Sequence, residues 1–196
     1  MDFVQGLIDA GRRFDARGWV LGTSGNFSAV VTRAPLALAI TRSGTHKGEL
    51  SRDDILQLDD NGVVVAGTGV PSAETKLHLE IVAKRGAGAV LHTHSIASTR
   101  LSDLHPGGFE ISGYEMLKGL SGVTTHEHRE WIPVLENDQD MVRLAAEVRR
   151  VLDEHPACHG FLLRRHGLYT WGPTLADAVR QVEILEFLLE AELWRS

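Results

Sequence analysis

Apolar residues at Phe3, Leu7, Ile8 and Phe14 recur with helical spacing, and the pattern stops at Gly18, which predicts a helix over residues 3–18. A Gly-rich turn at residues 22–26 precedes Phe27–Val31, a strand, and Leu36–Ile40 reads as its hairpin partner. A helical turn is expected at residues 51–54, and Asp60-Asn61-Gly62 is a turn before a strand at Val63–Val65. Ser72 is the expected N-cap of a helix that puts Thr75 at its third position and runs to Gly86. Ala89–His94 is a buried strand, followed by a polar helix near Ile96–Leu101. Residues 105–123, with glycines at 107, 108, 113 and 119, are expected to be irregular.

Trp131–Leu135 reads as a strand, and Pro133 suggests that it lies at a sheet edge. A helix over residues 138–155 places Met141, Leu144, Ala145, Val148, Val151 and Leu152 on one face. Strands at 160–165 and 168–171 surround His166-Gly167, and the last helix starts at Thr174 with Asp177 at its third position. Short hairpin-joined strands with interspersed helices point to an α/β fold, a three-layer α/β/α sandwich with a mainly antiparallel central sheet. With no repeat or linker, residues 1–196 are expected to form one domain.

The chemistry concentrates where apolar segments end. His92 and His94 lie two apart at the end of a strand, so their side chains point the same way. His166 ends another strand-like run before a Gly turn. Three neutral imidazoles on one zinc ion leave a position open for a substrate oxygen, which is the catalytic arrangement. The alternative, core or surface histidines, is weakened because the same context occurs twice. A second His-x-His pair, His126 and His128, sits in a charged segment and reads as solvated. His46, His78, His105, His155 and His159 have no comparable context. Thr23, Asn26, Ser43, Gly44 and Ser72 lie in turns or at the expected helix start, where N–H groups and hydroxyls can hold a phosphate; singly, each is an ordinary turn or cap residue. Glu74 and Glu115 are carboxylates available for proton transfer, against the plain readings of a helix-dipole residue and a surface glutamate.

Charge and cysteine content narrow the setting. The net charge of −6, with no basic cluster, argues against a nucleic-acid binder. The single cysteine, Cys158, excludes an internal disulfide and a Cys-based zinc site, and fits a cytoplasmic location. No signal-peptide pattern and no bilayer-length apolar run are evident.

These segments together resemble the class II aldolase/adducin superfamily. The resemblance rests on Gly22-Thr-Ser-Gly-Asn-Phe-Ser28, Thr41-Arg-Ser-Gly44, Pro71-Ser-Ala-Glu74 with His78, Leu91-His-Thr-His94 and Arg165-His-Gly167, and covers nearly the whole chain. It implies an α/β/α sandwich, a homotetramer with active sites at subunit junctions, His92, His94 and His166 as ligands of one Zn2+ per subunit, and Thr23, Asn26, Ser43, Gly44 and Ser72 around a substrate phosphate. Gly113-Tyr-Glu-Met-Leu-Lys-Gly119 is similar to the motif of a branch of hydro-lyases that dehydrate a methylthio-substituted ketose 1-phosphate in methionine salvage. In that branch the glutamate matching Glu115 is catalytic. Lys47-Gly48 after Thr41-Arg-Ser-Gly44 also suits this branch. In the sugar-phosphate aldolases and 4-epimerases of the superfamily the residue matching Glu74 is the important carboxylate, so those activities are the enzymatic alternative. An adducin-like assembly module is the non-enzymatic one, and the intact histidine triad argues against it.

Overall fold

A computed structural model describes residues 2–195. Its centre is one nine-stranded sheet made of β1 (Asn26–Arg33), β2 (Leu36–Thr41), β3 (Ile55–Leu58), β4 (Val64–Ala66), β5 (Ala89–Thr93), β6 (Gly107–Ser112), β7 (Arg129–Leu135), β8 (Gly160–Leu163) and β9 (Gly167–Gly172). The strands lie in the order β4-β3-β2-β1-β5-β9-β8-β7-β6. Every pairing is antiparallel except β7 with β8. Two helices, α2 (Thr75–Arg85) and α4 (Met141–Glu154), cover one face; α1 (Phe3–Asp15), α3 (Ile96–Leu104) and α5 (Leu175–Leu193) cover the other.

Strand periodicity sorts the core between these layers. On β5, Ala89 and Leu91 pack towards α1 and α5, whereas Val90 packs with Leu77 and Ile81 of α2 and Val148 of α4. His92 continues the Val90 face, and Thr93 turns back towards α5, where its hydroxyl donates to Glu186 at 2.5 Å. On β9, Tyr169 and Trp171 join the α2/α4 layer and Leu168 the α5 layer. Apolar residues at helical spacing give α4 one buried face, Leu144, Val148, Val151 and Leu152, as its pattern predicts. Thr174 caps α5 by accepting from the Asp177 N–H, also as expected.

Four expectations are corrected. Residues 105–123 are not irregular: β6 pairs along its length with β7, and Glu115–Gly119 forms a short 3-10 helix. The glycines mislead there because Gly108, at φ 137°, lies so close to Trp131 that a Cβ would sit 2.6 Å from its ring. Strand β7 is not an edge strand; its ladder to β8 begins only at Val134, after Pro133, and β6 forms the edge. Ser72 is not the N-cap of α2. An isolated bridge between Arg42 and Pro71 holds the chain there, Ser72 accepts from the Glu74 N–H in a preceding turn, and the helix starts three residues later. Strand β8 ends at Leu163, so His166 lies in the tight turn to β9 rather than on a strand.

That turn is packed against β5. A Cβ at Gly167 would collide with the Thr93 carbonyl oxygen and lie 3.1 Å from His92 Cε1. Gly167→Ala should therefore lower stability by about 1–3 kcal/mol, the usual range for forced overpacking, and loosen metal binding as His92 shifts. Urea unfolding together with metal content checks this; an unchanged midpoint would mean that the two strands separate at no cost.

Candidate metal centre

The end of β5 and the β8–β9 turn bring His92, His94 and His166 together. The His92 Nε2 lies 2.7 Å from that of His94 and 3.3 Å from that of His166. His92 is fully buried, stacked on Tyr169 at 3.9 Å between centroids, and its Nδ1–H donates to the Leu168 carbonyl at 2.9 Å. That bond leaves the Nε2 lone pair free to ligate. His94 is fixed by its backbone N–H on the Trp19 carbonyl. His166 follows Arg165, whose left-handed backbone (φ 55°) is held by an N–H bond to the Ser102 hydroxyl and a guanidinium bond to Asp103. The Thr99 hydroxyl donates to the His166 carbonyl. Helix α3 thus stabilises a turn that a non-glycine residue adopts only at a cost of about 1–2 kcal/mol.

The donor set fits a divalent transition metal. Burial, reinforced by the neighbouring imidazoles, pushes His92 well below its ordinary pKa and His94 down to about 4, so both rings are neutral ligands at pH 7. The three Nε2 atoms converge, and His166 Nδ1 is buried without a protein partner.

Glu74 stands over this triad, with its carboxylate 3.5 Å from His92 Nε2 and 3.4 Å from His166 Nε2. A chain of hydrogen bonds holds it. The Ser28 hydroxyl donates to His78 Nδ1 at 2.7 Å; His78 Nε2–H donates to Asn26 Oδ1 at 2.5 Å; the Asn26 amide donates to Glu74 at 2.6 Å. Asn26, expected at the phosphate, thus has most of its polar capacity engaged in holding Glu74. His78 has a part that its sequence context did not announce. Its position on α2, one turn after Glu74, was the available signal.

A cavity of about 180 Å3 adjoins the triad, lined by Thr23, Asn26, Ser43, Gly44, Ser72, Glu74 and His94. All five expected phosphate residues therefore meet. Lys47 and Arg42 line it as well. Lys47 is almost fully buried, gives two N–H bonds to the carbonyls of Thr23 and Thr45, and keeps a third donor. Burial pulls its pKa down to about 8, against the pull of Asp54. It supplies the cavity with a cation. Glu115 is not brought to this site within one chain. It is exposed on the 3-10 helix, ion-paired with Lys118 and 3.8 Å from His126.

Known proteins place the chain. Residues 5–193 match the family described as Class II Aldolase and Adducin N-terminal domain. The methylthioribulose-1-phosphate dehydratase of Pseudomonas fluorescens (strain Pf0-1) is 49% identical over 97% of this chain and 91% of its own length. That of Azotobacter vinelandii (strain DJ / ATCC BAA-1303) is 47% identical over 95% and 91%. Among solved structures, an L-fuculose 1-phosphate aldolase superposes with a TM-score of 0.82 at 25% identity, covering 100% of this chain and 86% of that one. The chain belongs to the class II aldolase/adducin family.

The buried histidines set a pH response. Burial lowers His78 to about 3. Unfolding returns it to about 6.5, so the unfolded chain binds more protons below that value and stability falls as pH drops from about 6.5 towards 3. The slope is about 1.4 kcal/mol per pH unit for each such histidine, with His92 and His94 adding to it in metal-free protein. Burial opposes a charge on His159 too, but its bond to Glu130 prevails and raises its pKa, which gives a smaller contribution of opposite sign. Urea titrations of metal-free protein at pH 7 and pH 5 check the sign; equal stability would contradict neutral burial.

Proposed function

We infer that this chain is an enzyme, a lyase that dehydrates 5-methylthioribulose 1-phosphate to 2,3-diketo-5-methylthiopentyl 1-phosphate and water in methionine salvage. The similarity to dehydratases along almost the whole of both chains carries this reading. The proposed metal is Zn2+, one per subunit at His92, His94 and His166, because neutral nitrogen donors with an open position suit it. An ion there supplies a Lewis acid for the substrate's carbonyl oxygen, making the adjacent carbon 3 proton acidic. Thr23, Ser43, Gly44 and Ser72 offer hydroxyl and backbone donors to the phosphate, with Lys47 opposite its charge.

Glu115 is the proposed base. It removes the carbon 3 proton and returns it to the departing carbon 4 hydroxyl, and the resulting enol tautomerises to the diketone. Its exposure and its absence from the cavity in one chain support action from a neighbouring copy, in a homotetramer whose sites lie at subunit junctions. No helix among the described residues is long and apolar enough to cross a membrane, which is compatible with the proposed cytoplasmic location. The placement of Glu74 beside two of the imidazoles favours a second reading, retro-aldol cleavage or 4-epimerisation of a ketose phosphate with Glu74 as the base.

The two readings separate on Glu115→Gln and Glu74→Gln, assayed with methylthioribulose 1-phosphate for diketone and for released aldehyde. A positioned base contributes about 10²–10⁴-fold, so Glu115→Gln should lose that much dehydration while retaining metal. Mixing inactive Glu115→Gln with inactive His94→Ala chains should restore part of the turnover, because some junctions then pair an intact glutamate with an intact triad. Near-normal dehydration by Glu115→Gln would remove it as the base, and aldehyde release without diketone would favour the aldolase reading.

A further inference from the structure

A second histidine cluster lies around the start of β7 and the segment that leads into β8. Glu130 on β7 is 1% exposed, yet carries a carboxylate. Both of its histidine partners aim ring nitrogens at a single oxygen, Oε2: His128 Nε2 at 2.7 Å and His159 Nδ1 at 2.9 Å. Its Oε1 accepts the His159 backbone N–H at 2.9 Å. On the far side of the His159 ring, Nε2–H donates to the Ser121 carbonyl at 2.8 Å. The Ser121 carbonyl fixes the His159 ring from behind and leaves Nδ1 as the nitrogen directed at Glu130, so an ion seated between them would take the place of the Nδ1 proton.

We propose that His128, Glu130 and His159 form a second divalent-metal site, separate from the His92, His94 and His166 centre, that takes an ion of the zinc class. The three donor atoms lie within 4.8 Å of one another. Two imidazoles and one carboxylate are an ordinary three-ligand set for such an ion, with a fourth position left for water. A cavity of about 520 Å3 opens onto His128 and His159 and gives that water and the ion a way in. Tetrahedral coordination needs donor atoms about 3.4 Å apart, so each nitrogen must retreat from the oxygen by about 0.6 Å. His128, its side chain 27% exposed on a surface segment, can make its share of that movement, and a turn of the Glu130 carboxylate makes the share at His159, whose ring Ser121 holds from behind.

The Glu130 carboxylate is held from both sides, by His128 and His159 on Oε2 and by the His159 backbone N–H on Oε1. A metal replaces those two ring contacts and neutralises the same buried charge. The ion would tie residues 121–128 to β7 and to the start of β8. His126, two residues from His128, is exposed and near Glu115, so it is outside this site. The inference does not depend on which reaction the first centre catalyses.

Zinc per chain, measured after loading the protein and removing loose metal by gel filtration, tests it in a background whose first centre, short of one imidazole, holds zinc too loosely to survive that step. His166→Ala should retain one equivalent, and His166→Ala combined with His128→Ala should retain none. Zinc should raise the thermal midpoint of the first variant and leave that of the second unchanged. His128 is replaced because it is the more exposed of the two histidines and Glu130 keeps both of its His159 bonds, and folding of the double variant is checked by circular dichroism. If both fold, loss of all zinc from His166→Ala overturns the proposal, and so does an equivalent that persists in the double variant. Should the double variant fail to fold, His128→Ala alone is compared with wild type: one equivalent against two supports the site, and equal content overturns it.

Discussion

The structure turns on the close approach of two backbones, β5 at Thr93 and the β8–β9 turn at Gly167. Only a residue without a side chain lets that turn reach the strand, and this contact sets His166 beside His92 and His94. Three imidazoles are then enclosed together, two of them with burial as the main influence on their protonation. Enclosure keeps the His92 and His94 rings neutral, and neutrality is what gives a metal their lone pairs. The Leu168 carbonyl and the Tyr169 ring fix the tautomer and plane of His92, so the site is oriented from behind by the same strand that completes it.

Strand alternation distributes the other supports. Within Leu91–Ser95, side chains go in turn to the helix layers and to the site. Thr93 is anchored on the far layer by Glu186, a carboxyl that burial pushes up to about 7 despite bonds from Ser95 and Thr93. On the near side, the Ser28–His78–Asn26 chain fixes Glu74, and Lys47 faces the anion cavity from the loop after β2. Fixed donors, a fixed carboxylate and one buried cation give a pocket suited to a phosphorylated ketose, in which little has to rearrange when the substrate arrives.

What was legible in the sequence depended on range. The α4 face, the β1–β2 hairpin and the convergence of His92 with His94 are set by local periodicity, and they stand as read. His166 was identified because it ends an apolar run, although the structure places it in a turn stabilised by α3. The misreadings required distant partners. Gly108 resembles a loop residue until Trp131 packs against it, and Pro133 resembles an edge marker until β8 is seen to pair only beyond it. His78 and Lys47 were legible only as parts of motifs, and His159 not at all, because their partners, Asn26, Thr23 and Glu130 among them, come from other elements; His128, read as solvated, in fact sits on a buried carboxylate. Glu115 was legible only through its motif, since within one chain it faces solvent.

The central claim is that the three converging imidazoles hold the metal on which the chemistry depends. Dehydration by His94→Ala, measured with its metal content before and after loading with excess zinc, tests it most directly. The account predicts that the variant loses its most tightly held catalytic ion and, with it, turnover by orders of magnitude, with partial recovery in excess zinc. Full turnover by His94→Ala with the wild-type metal content would contradict it.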